Sequence, residues 1–346
     1  MRIKECLSYD DVLLVPKYSD IVSRSEVDTS TSLSPDLVFK LPIISSPMDT
    51  VTEEEMAVAM SSVGGLGVIH RYNTIEEQCV MVARAKLNDS NAHIAAAIGI
   101  SGDYLERAHE LARAGASILC LDVAHGHHVL MKDALASIKS MFNDRIHIMA
   151  GNVATKSGFE DLANWGADSV RCNIGGGSIC STRIQTGHGV PGLQTIIDCF
   201  DSTTDRDVKI IADGGIRNSG DIVKALAAGA DFVMIGSLLS GTKETPGPVI
   251  RGKDGTSFKT YRGMASPEAQ VQWRGKASSL EGVSTMVPYR GSVVPIVEEL
   301  AVGIRSGLSY SGARSILELQ ANAEFVKQTS SGIVESNTHI NGRFSG

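Results

Sequence analysis

The sequence predicts an α/β fold in which eight parallel strands close into a barrel surrounded by helices. Short runs of β-branched residues alternate with helical patterns along the chain, and this alternation is typical of a parallel sheet. A short Gly-containing signal that ends a helix also recurs just before three of the strands. The expected strands span residues 41–46, 66–70, 93–99, 117–123, 145–152, 168–174, 208–215 and 231–237. Eight strand–helix units are what a (β/α)8 TIM barrel requires.

The recurring signal is a Gly followed by Ala, found at residues 114–116, 165–167 and 228–230. A Gly at this point supplies the left-handed backbone that ends a helix. The alternative is an open, doubly wound sheet with a separate substrate domain, but no linker rich in Pro or Ser divides the chain. We therefore expect residues 1–346 to form one catalytic domain with an N-terminal extension and a C-terminal tail.

Composition narrows the class of protein. Of the 346 residues, 42% are hydrophobic and only 5% are aromatic, which predicts a core of Ala, Val, Ile and Leu. The formal net charge of −7 argues against a nucleic-acid partner. No segment approaches the ~18 apolar residues that span a bilayer, so we expect no membrane partner and a cytoplasmic location. Six scattered cysteines suggest reduced thiols rather than disulfides or a zinc site: Cys6, Cys79, Cys120, Cys172, Cys180 and Cys199.

The carboxyl ends of the expected strands are where a barrel carries its chemistry. In this chain they carry small or polar residues: Ser46, His70, Gly99, Asp122, Asn152, Asn173, Asp213 and Ser237. Any one of them could be a cap or a turn residue. Together they predict an active site at this face.

The loop after the sixth strand, residues 175–183, is rich in Gly and carries Cys180, with Thr182 two residues further on. Successive glycines allow backbone amides and carbonyls to approach a ligand or an ion. A thiol above a barrel mouth is a candidate nucleophile. The alternative is a buried, inert cysteine.

Two further loops predict a phosphate cradle. Asp213, Gly214 and Gly215 follow the seventh strand, and Gly236 and Ser237 follow the eighth, which is the usual phosphate site of a barrel. The alternative is a pair of tight turns. Neither a P-loop nor a Rossmann glycine motif occurs.

The run of residues 122–128, Asp-Val-Ala-His-Gly-His-His, matches no zinc spacing. A polar loop is the better interpretation.

Several segments together resemble the IMP dehydrogenase and GMP reductase superfamily. The similarity runs almost from end to end and is carried by the motifs at residues 7–16, 46–52, 150–153, 175–183, 212–217 and 261–264. The resemblance implies a purine mononucleotide substrate and a covalent adduct between Cys180 and C2 of the purine, with Thr182 and Glu281 as its catalytic partners. It also implies a homotetramer.

The remaining implied roles fall into three sets. The substrate-binding residues implied are Ser46, Ser178, Asp213, Gly214, Gly215, Gly236, Ser237, Tyr261, Gly263 and Met264. The cofactor-binding residues implied are Asp122, Asn152, Arg171 and Asn173. A potassium site is implied at the backbone carbonyls of Gly175, Gly177 and Cys180. This chain departs from the family pattern at two positions, with Gly176 where Pro is common and Asn173 where Gly is common.

Two features bear on the direction of the reaction. Dehydrogenases of the superfamily usually insert a pair of cystathionine-β-synthase-type (CBS) domains between the second helix and the third strand, and here that insertion is absent. In the expected flap, residues 255–290, the segment 265–280 contains Trp273 and Arg274 but no Arg-Tyr pair to act as base for water. These features favour an NADPH-dependent GMP reductase that converts GMP to IMP and ammonia.

Two alternatives stay open. Residues 332–336 resemble those of dehydrogenases, so the chain could be an IMP dehydrogenase that lacks CBS domains and oxidises IMP to XMP with NAD. The second alternative is a non-catalytic barrel that binds nucleotides, although a pure binder has no need of a nucleophile.

Overall fold

The computed structural model describes residues 3–201, 207–278 and 280–338. The N-terminal segment forms three short strands, β1 (Val12–Leu14), β2 (Thr31–Ser34) and β3 (Leu37–Phe39). β2 and β3 pair as an antiparallel hairpin.

Eight parallel strands then close into a barrel. They are β4 (Ile43–Ser45), β5 (Leu66–Ile69), β6 (Ala95–Ile98), β7 (Ile118–Asp122), β8 (His147–Val153), β9 (Ser169–Cys172), β10 (Lys209–Asp213) and β11 (Phe232–Ile235). The last strand, β11, pairs with β4 and completes the ring. The predicted TIM barrel is confirmed. Seven strands lie inside the ranges expected from the sequence, and β8 runs one residue beyond, to Val153.

Helices follow the first seven barrel strands. They are α1 (Glu54–Ser62), α2 (Ile75–Asn88), α3 (Tyr104–Ala114), α4 (Val129–Phe142), α5 (Lys156–Asn164), α6 (Thr182–Thr186), α7 (Gly192–Phe200) and α8 (Ser219–Ala227). Gly115, Gly166 and Gly229 follow helices α3, α5 and α8 with φ values of 108°, 106° and 112°. Each therefore has the left-handed conformation that the sequence predicted.

The chain leaves the barrel after β11 and returns to form the remaining helices. The excursion contains β12 (Ile250–Arg251), β13 (Ser257–Arg262), α9 (Pro267–Arg274) and β14 (Ser284–Pro288), and its three strands form an antiparallel sheet. The chain ends with α10 (Val293–Tyr310), α11 (Ile316–Asn322), β15 (Phe325–Lys327) and α12 (Ser330–Glu335). β15 pairs with β1, so the two ends of the described chain meet.

Apolar side chains form two layers, one inside the barrel and one between the barrel and the helices. The inner layer continues into the β2–β3 hairpin, where the Phe39 ring meets the Phe232 ring edge to face at 5.6 Å. Phe232 is the first residue of β11, so the hairpin closes the N-terminal end of the barrel. All six cysteines are free thiols. None of the helices within the described residues is long and apolar enough to cross a membrane.

Candidate active site

A cavity of about 450 Å³ opens at the carboxyl ends of the barrel strands. Every catalytic, substrate-binding, cofactor-binding and potassium-site residue expected from the sequence lines this one cavity. Two of the eight polar strand ends do not line it. His70 is buried, with Nε2 2.9 Å from Glu53 Oε1, and Gly99 packs near Ser101.

Cys180, Thr182 and Glu281 form a chain of hydrogen bonds in the cavity. Cys180 Sγ donates to Thr182 Oγ1 at 3.2 Å, and Thr182 Oγ1 donates to Glu281 Oε2 at 2.8 Å. The donors run from sulfur to hydroxyl to carboxylate, which is the direction in which a proton would leave the thiol. The arrangement is therefore suited to activating a nucleophile through a relay.

Glu281 joins these hydrogen bonds although it lies 99 residues from Thr182 in the sequence. Backbone pairing holds the two segments together, since Ser181 N donates to Glu281 O at 3.1 Å and Val283 N donates to Ile179 O at 3.0 Å. A Cβ at Gly282 would lie 2.8 Å from Ser266 N, so glycine is needed for this close approach.

The expected phosphate loops line the same cavity as the Cys180 loop. Gly214 and Gly215 have φ values of 80° and 76°, which favour glycine. The Tyr261 hydroxyl lies 3.4 Å from Ser178 Oγ. Burial raises the pKa of Tyr261, so its hydroxyl stays protonated and can donate to an anion. Hydroxyls and backbone amides thus face a common space, as a phosphate requires.

A buried ion network links the strand ends β7, β9 and β10. The Arg171 guanidinium donates to Asp122 Oδ1 at 2.6 Å and to Asp213 Oδ2 at 2.8 Å. Asn152 Nδ2 donates to the same Asp213 oxygen at 2.8 Å. Burial opposes ionisation of Asp122, but the positive charges of Arg171 and Arg71 outweigh it and lower its pKa. The pKa of Arg171 is raised well above its usual value because the attraction of Asp213 and the other acidic neighbours exceeds the penalty of burial. The positive charges keep the Asp122 carboxylate ionised, and the hydrogen bonds from Arg171 hold both carboxylates in place.

A cluster of aromatic and cationic side chains lies at the cavity mouth. The Tyr72 and Trp273 rings stack at 4.4 Å with an angle of 8° between them. The Arg274 guanidinium lies 4.6 Å above the Trp273 ring, and that of Arg71 lies 5.5 Å from the Tyr72 ring. Sequence reasoning missed Arg71 and Tyr72, although they directly follow the end of β5, where functional residues were expected.

The described residues contain no group of three or more His, Cys, Asp or Glu side chains that could hold a metal ion. Two of the three histidines of residues 122–128 have structural partners: His127 Nε2 lies 2.8 Å from Asp161 Oδ2, and His128 Nδ1 accepts from Leu130 N at the start of α4. In the Cys180 loop, Gly177 O accepts the Cys180 N–H at 3.1 Å. The potassium site stays a prediction.

A family model described as "IMP dehydrogenase / GMP reductase domain" matches residues 6–339. The chain belongs to this family. The family's activities are oxidoreductions of purine mononucleotides that use a nicotinamide cofactor, so the chain is an oxidoreductase of purine metabolism. The family resemblance seen in the sequence is confirmed.

This chain is similar to relatives named inosine-5′-monophosphate dehydrogenase and to relatives named GMP reductase. An inosine-5′-monophosphate dehydrogenase of Nitrosopumilus maritimus is 36% identical, covering 98% of this chain and 99% of the relative. A GMP reductase of Leishmania major is 32% identical, covering 97% of each. A crystal structure of a cysteine-to-alanine variant of GMP reductase from Trypanosoma brucei, in complex with guanosine 5′-monophosphate, superposes with a TM-score of 0.91 at 32% identity, covering 97% of this chain and 98% of that one.

The lengths of these family alignments bear on the absence of CBS domains. The alignment with the N. maritimus relative runs over 473 positions and that with the L. major relative over 479, which exceeds the 346 residues of this chain. An alignment with an inosine-5′-monophosphate dehydrogenase of Cryptosporidium parvum, 38% identical, runs over only 389 positions. Long alignments therefore occur with a relative of each name, and a short alignment occurs with a dehydrogenase. The length of the alignment does not distinguish dehydrogenases from reductases.

Proposed function

We propose that this chain is a GMP reductase that uses NADPH to convert GMP to IMP and ammonia through a covalent adduct on Cys180. The observation that carries the proposal is the hydrogen-bond chain from Cys180 through Thr182 to Glu281, together with a flap segment, residues 265–280, that contains no Arg-Tyr pair. Without that pair, attack of water on the adduct is slow, and reduction becomes the favoured outcome.

The first step forms the adduct and releases ammonia. The proton of the Cys180 thiol passes through Thr182 to Glu281, and the sulfur bonds to C2 of GMP. The same proton then returns from Glu281 to the C2 amino group, which leaves as ammonia. A C2–S bond thereby replaces the C2–N bond, and no oxidation or reduction has occurred. Residues at relay positions of this kind typically contribute 10²–10⁴-fold to the rate.

The second step reduces C2 and frees the enzyme. A bound reduced nicotinamide would supply a hydride to C2. The Cys180 sulfur then leaves as a thiolate, which gives IMP, and a proton from solvent restores the thiol. Water must be kept from the adduct during this step, and helix α9 of the flap, which contributes Gln270 and Arg274 to the lining of the cavity, would help to exclude it.

The residues at the mouth fit a nicotinamide cofactor. Arg71 Nε is a buried donor that makes no hydrogen bond within the described residues, and the nearest carboxylate oxygen, Asp122 Oδ2, is 3.5 Å away. A polar group of a ligand can use that donor. Asp122 and Asn152 would orient the cofactor, whereas Arg171 holds the two carboxylates in place.

The substrate-binding residues would divide between the two ends of the nucleotide. Ser178, Gly215 and Ser237 would bind the phosphate, with Tyr261 donating to it, and Asp213 would accept from the ribose hydroxyls. The GMP complex of the similar T. brucei reductase supports a nucleotide with this base.

An IMP dehydrogenase is the second candidate. Arg274 lines the cavity, and it is the flap residue that could act as a base for water in place of the missing pair. The inosine-5′-monophosphate dehydrogenase of C. parvum is 38% identical to this chain, whereas the GMP reductase of L. major is 32% identical.

The deciding experiment offers the purified protein each substrate pair. With GMP and NADPH we expect loss of absorbance at the nicotinamide band together with IMP and ammonia in equal amounts. Production of NADH from IMP and NAD, with no reaction of GMP, would favour the dehydrogenase. Tight GMP binding with neither reaction would favour the non-catalytic barrel. A Cys180→Ala variant is the matched control for background reduction.

Three finer points of the proposal have their own tests. The rate with NADPH is expected to exceed that with NADH. Replacing potassium by sodium in the assay tests the carbonyl site at Gly175, Gly177 and Cys180. Light scattering tests for the homotetramer.

A further inference from the structure

Asn173 directly follows β9 and lies two residues before the glycine-rich loop of residues 175–183, which carries Cys180. Its φ is 152°, one of two positive φ values at non-glycine residues in the described chain. L side chains rarely adopt this conformation, and at an active site such strain is maintained only when the surrounding structure enforces it.

The Asn173 side chain connects two loops of the cavity. Nδ2 donates to Gly214 O at 3.3 Å, and the Asn173 carbonyl accepts from Asn152 Nδ2 at 3.0 Å. The residue is 3% exposed, and Oδ1 has no hydrogen-bond partner within the described residues. Burying an unpartnered acceptor costs free energy, so stability alone does not account for this side chain.

Gly176 lies directly against Asn173. A Cβ at Gly176 would lie 2.1 Å from Asn173 Nδ2 and 2.8 Å from its Cγ, far inside van der Waals contact. The side chain of Asn173 therefore fills the space that a side chain at position 176 would need.

We propose that Asn173 is a positioning residue, and that Asn173 and Gly176 act as one steric unit that sets the path of the Cys180 loop against the loop of residues 213–215. The inference rests on the proposed role of Cys180 as the nucleophile. Cys180 follows Gly176 by four residues, so a displacement at Gly176 moves Sγ relative to Thr182 Oγ1. A misplacement of 1 Å can lower a rate by ~10²-fold.

The test is a double-mutant cycle at these two positions, made in the full chain. Gly176→Ala should lower kcat by ~10²-fold, with a smaller loss of GMP affinity because two of the proposed phosphate contacts, Gly215 and Ser237, lie on other loops. Asn173→Gly removes the obstacle and relaxes the backbone, so the double variant Asn173→Gly with Gly176→Ala should recover most of the rate lost in Gly176→Ala. Gly332→Ala is the control for adding a methyl group, because its Cβ would meet Gln328 Cβ at an ordinary 3.5 Å.

A second measurement does not depend on turnover. The rate at which iodoacetamide alkylates Cys180, followed by peptide mass spectrometry with and without GMP, reports the environment of the thiol. We expect Gly176→Ala to change this rate and the double variant to restore it, while thermal unfolding shows that all variants fold.

Two results would overturn the proposal. Gly176→Ala could match the parent in both kcat and alkylation, or the double variant could be no better than Gly176→Ala. A parent that turns over neither GMP nor IMP would instead refute the proposed function, and the alkylation rates would still decide the steric unit.

Discussion

At the N-terminal end of the barrel, the β2–β3 hairpin packs Phe39 against Phe232, and the neighbouring side chains inside the barrel are apolar. At the carboxyl end, the barrel strands finish in ion pairs, glycines of positive φ and a buried amide oxygen of Asn173 that has no hydrogen-bond partner within the described residues. We refer to these regions as the floor and the mouth. The floor buries mainly apolar surface, with the Asp231 carboxyl at its edge as an exception, whereas the mouth keeps several desolvated charges and backbone strain.

The difference indicates that stability and chemistry are separated along the length of each strand. Strand β11 belongs to both regions, since it begins at Phe232 in the floor and ends beside Gly236 at the mouth. Substitutions at the mouth should therefore change turnover more than stability, and substitutions at the floor should do the reverse. Four predictions test this separation.

The largest effect is expected for Cys180→Ala at the mouth. Loss of a covalent nucleophile should lower kcat by at least ~10³-fold. Because Cys180 lies on a half-buried loop, the free energy of unfolding should change by less than about 1 kcal/mol. Turnover with GMP and thermal unfolding measure the two quantities. Activity within a few-fold of the parent would exclude the covalent mechanism.

Thr182→Ala and Glu281→Gln should each lower the rate of ammonia release by ~10²–10⁴-fold, because each breaks the same relay. Residues that act as a unit show non-additive losses, so the double variant should be little slower than the slower single variant. Single-turnover release of ammonia is measured beside hydride transfer, which should fall far less. Losses that multiply would show that the two residues act independently.

The local patterns of the sequence were sufficient to predict the barrel, because each strand and helix is encoded by neighbouring residues. They were not sufficient for contacts between distant segments. The stacking of Tyr72 on Trp273 depends on how the flap folds back on the strand ends, and no periodicity encodes it. Similarly, Asn173 and Gly176 were noticed as departures from a pattern, but only their geometry shows that one occupies the space of the other.

At the floor, Phe232→Ala should lower the free energy of unfolding by about 3–5 kcal/mol, the usual range for truncating a buried Phe. Phe232 is fully buried and contacts Phe39, so a cavity would remain. Turnover per folded molecule should match the parent. The measurements are denaturant unfolding and kcat at a temperature where both proteins are folded. A fall in kcat equal to that of a mouth variant would show that floor and mouth are coupled.

The smallest effect is a pH dependence at the floor. Burial raises the pKa of Asp231 to about 6, more than its hydrogen bond from Ile210 N lowers it. The folded state therefore holds this proton more tightly than the unfolded state, so the contribution to stability is greatest below about pH 4 and is lost as the pH rises through 6.

Asp231→Asn removes the titration while keeping an acceptor for Ile210. Because the side chain is partly exposed and lies 3.9 Å from Lys209 Nζ, we expect a gain of only about 1 kcal/mol or less at pH 8, and none at pH 4. Thermal unfolding of both proteins across this range measures the difference, and kcat should not change. A variant that is less stable than the parent at pH 8 would show that the ion pair with Lys209 outweighs the burial of the carboxylate.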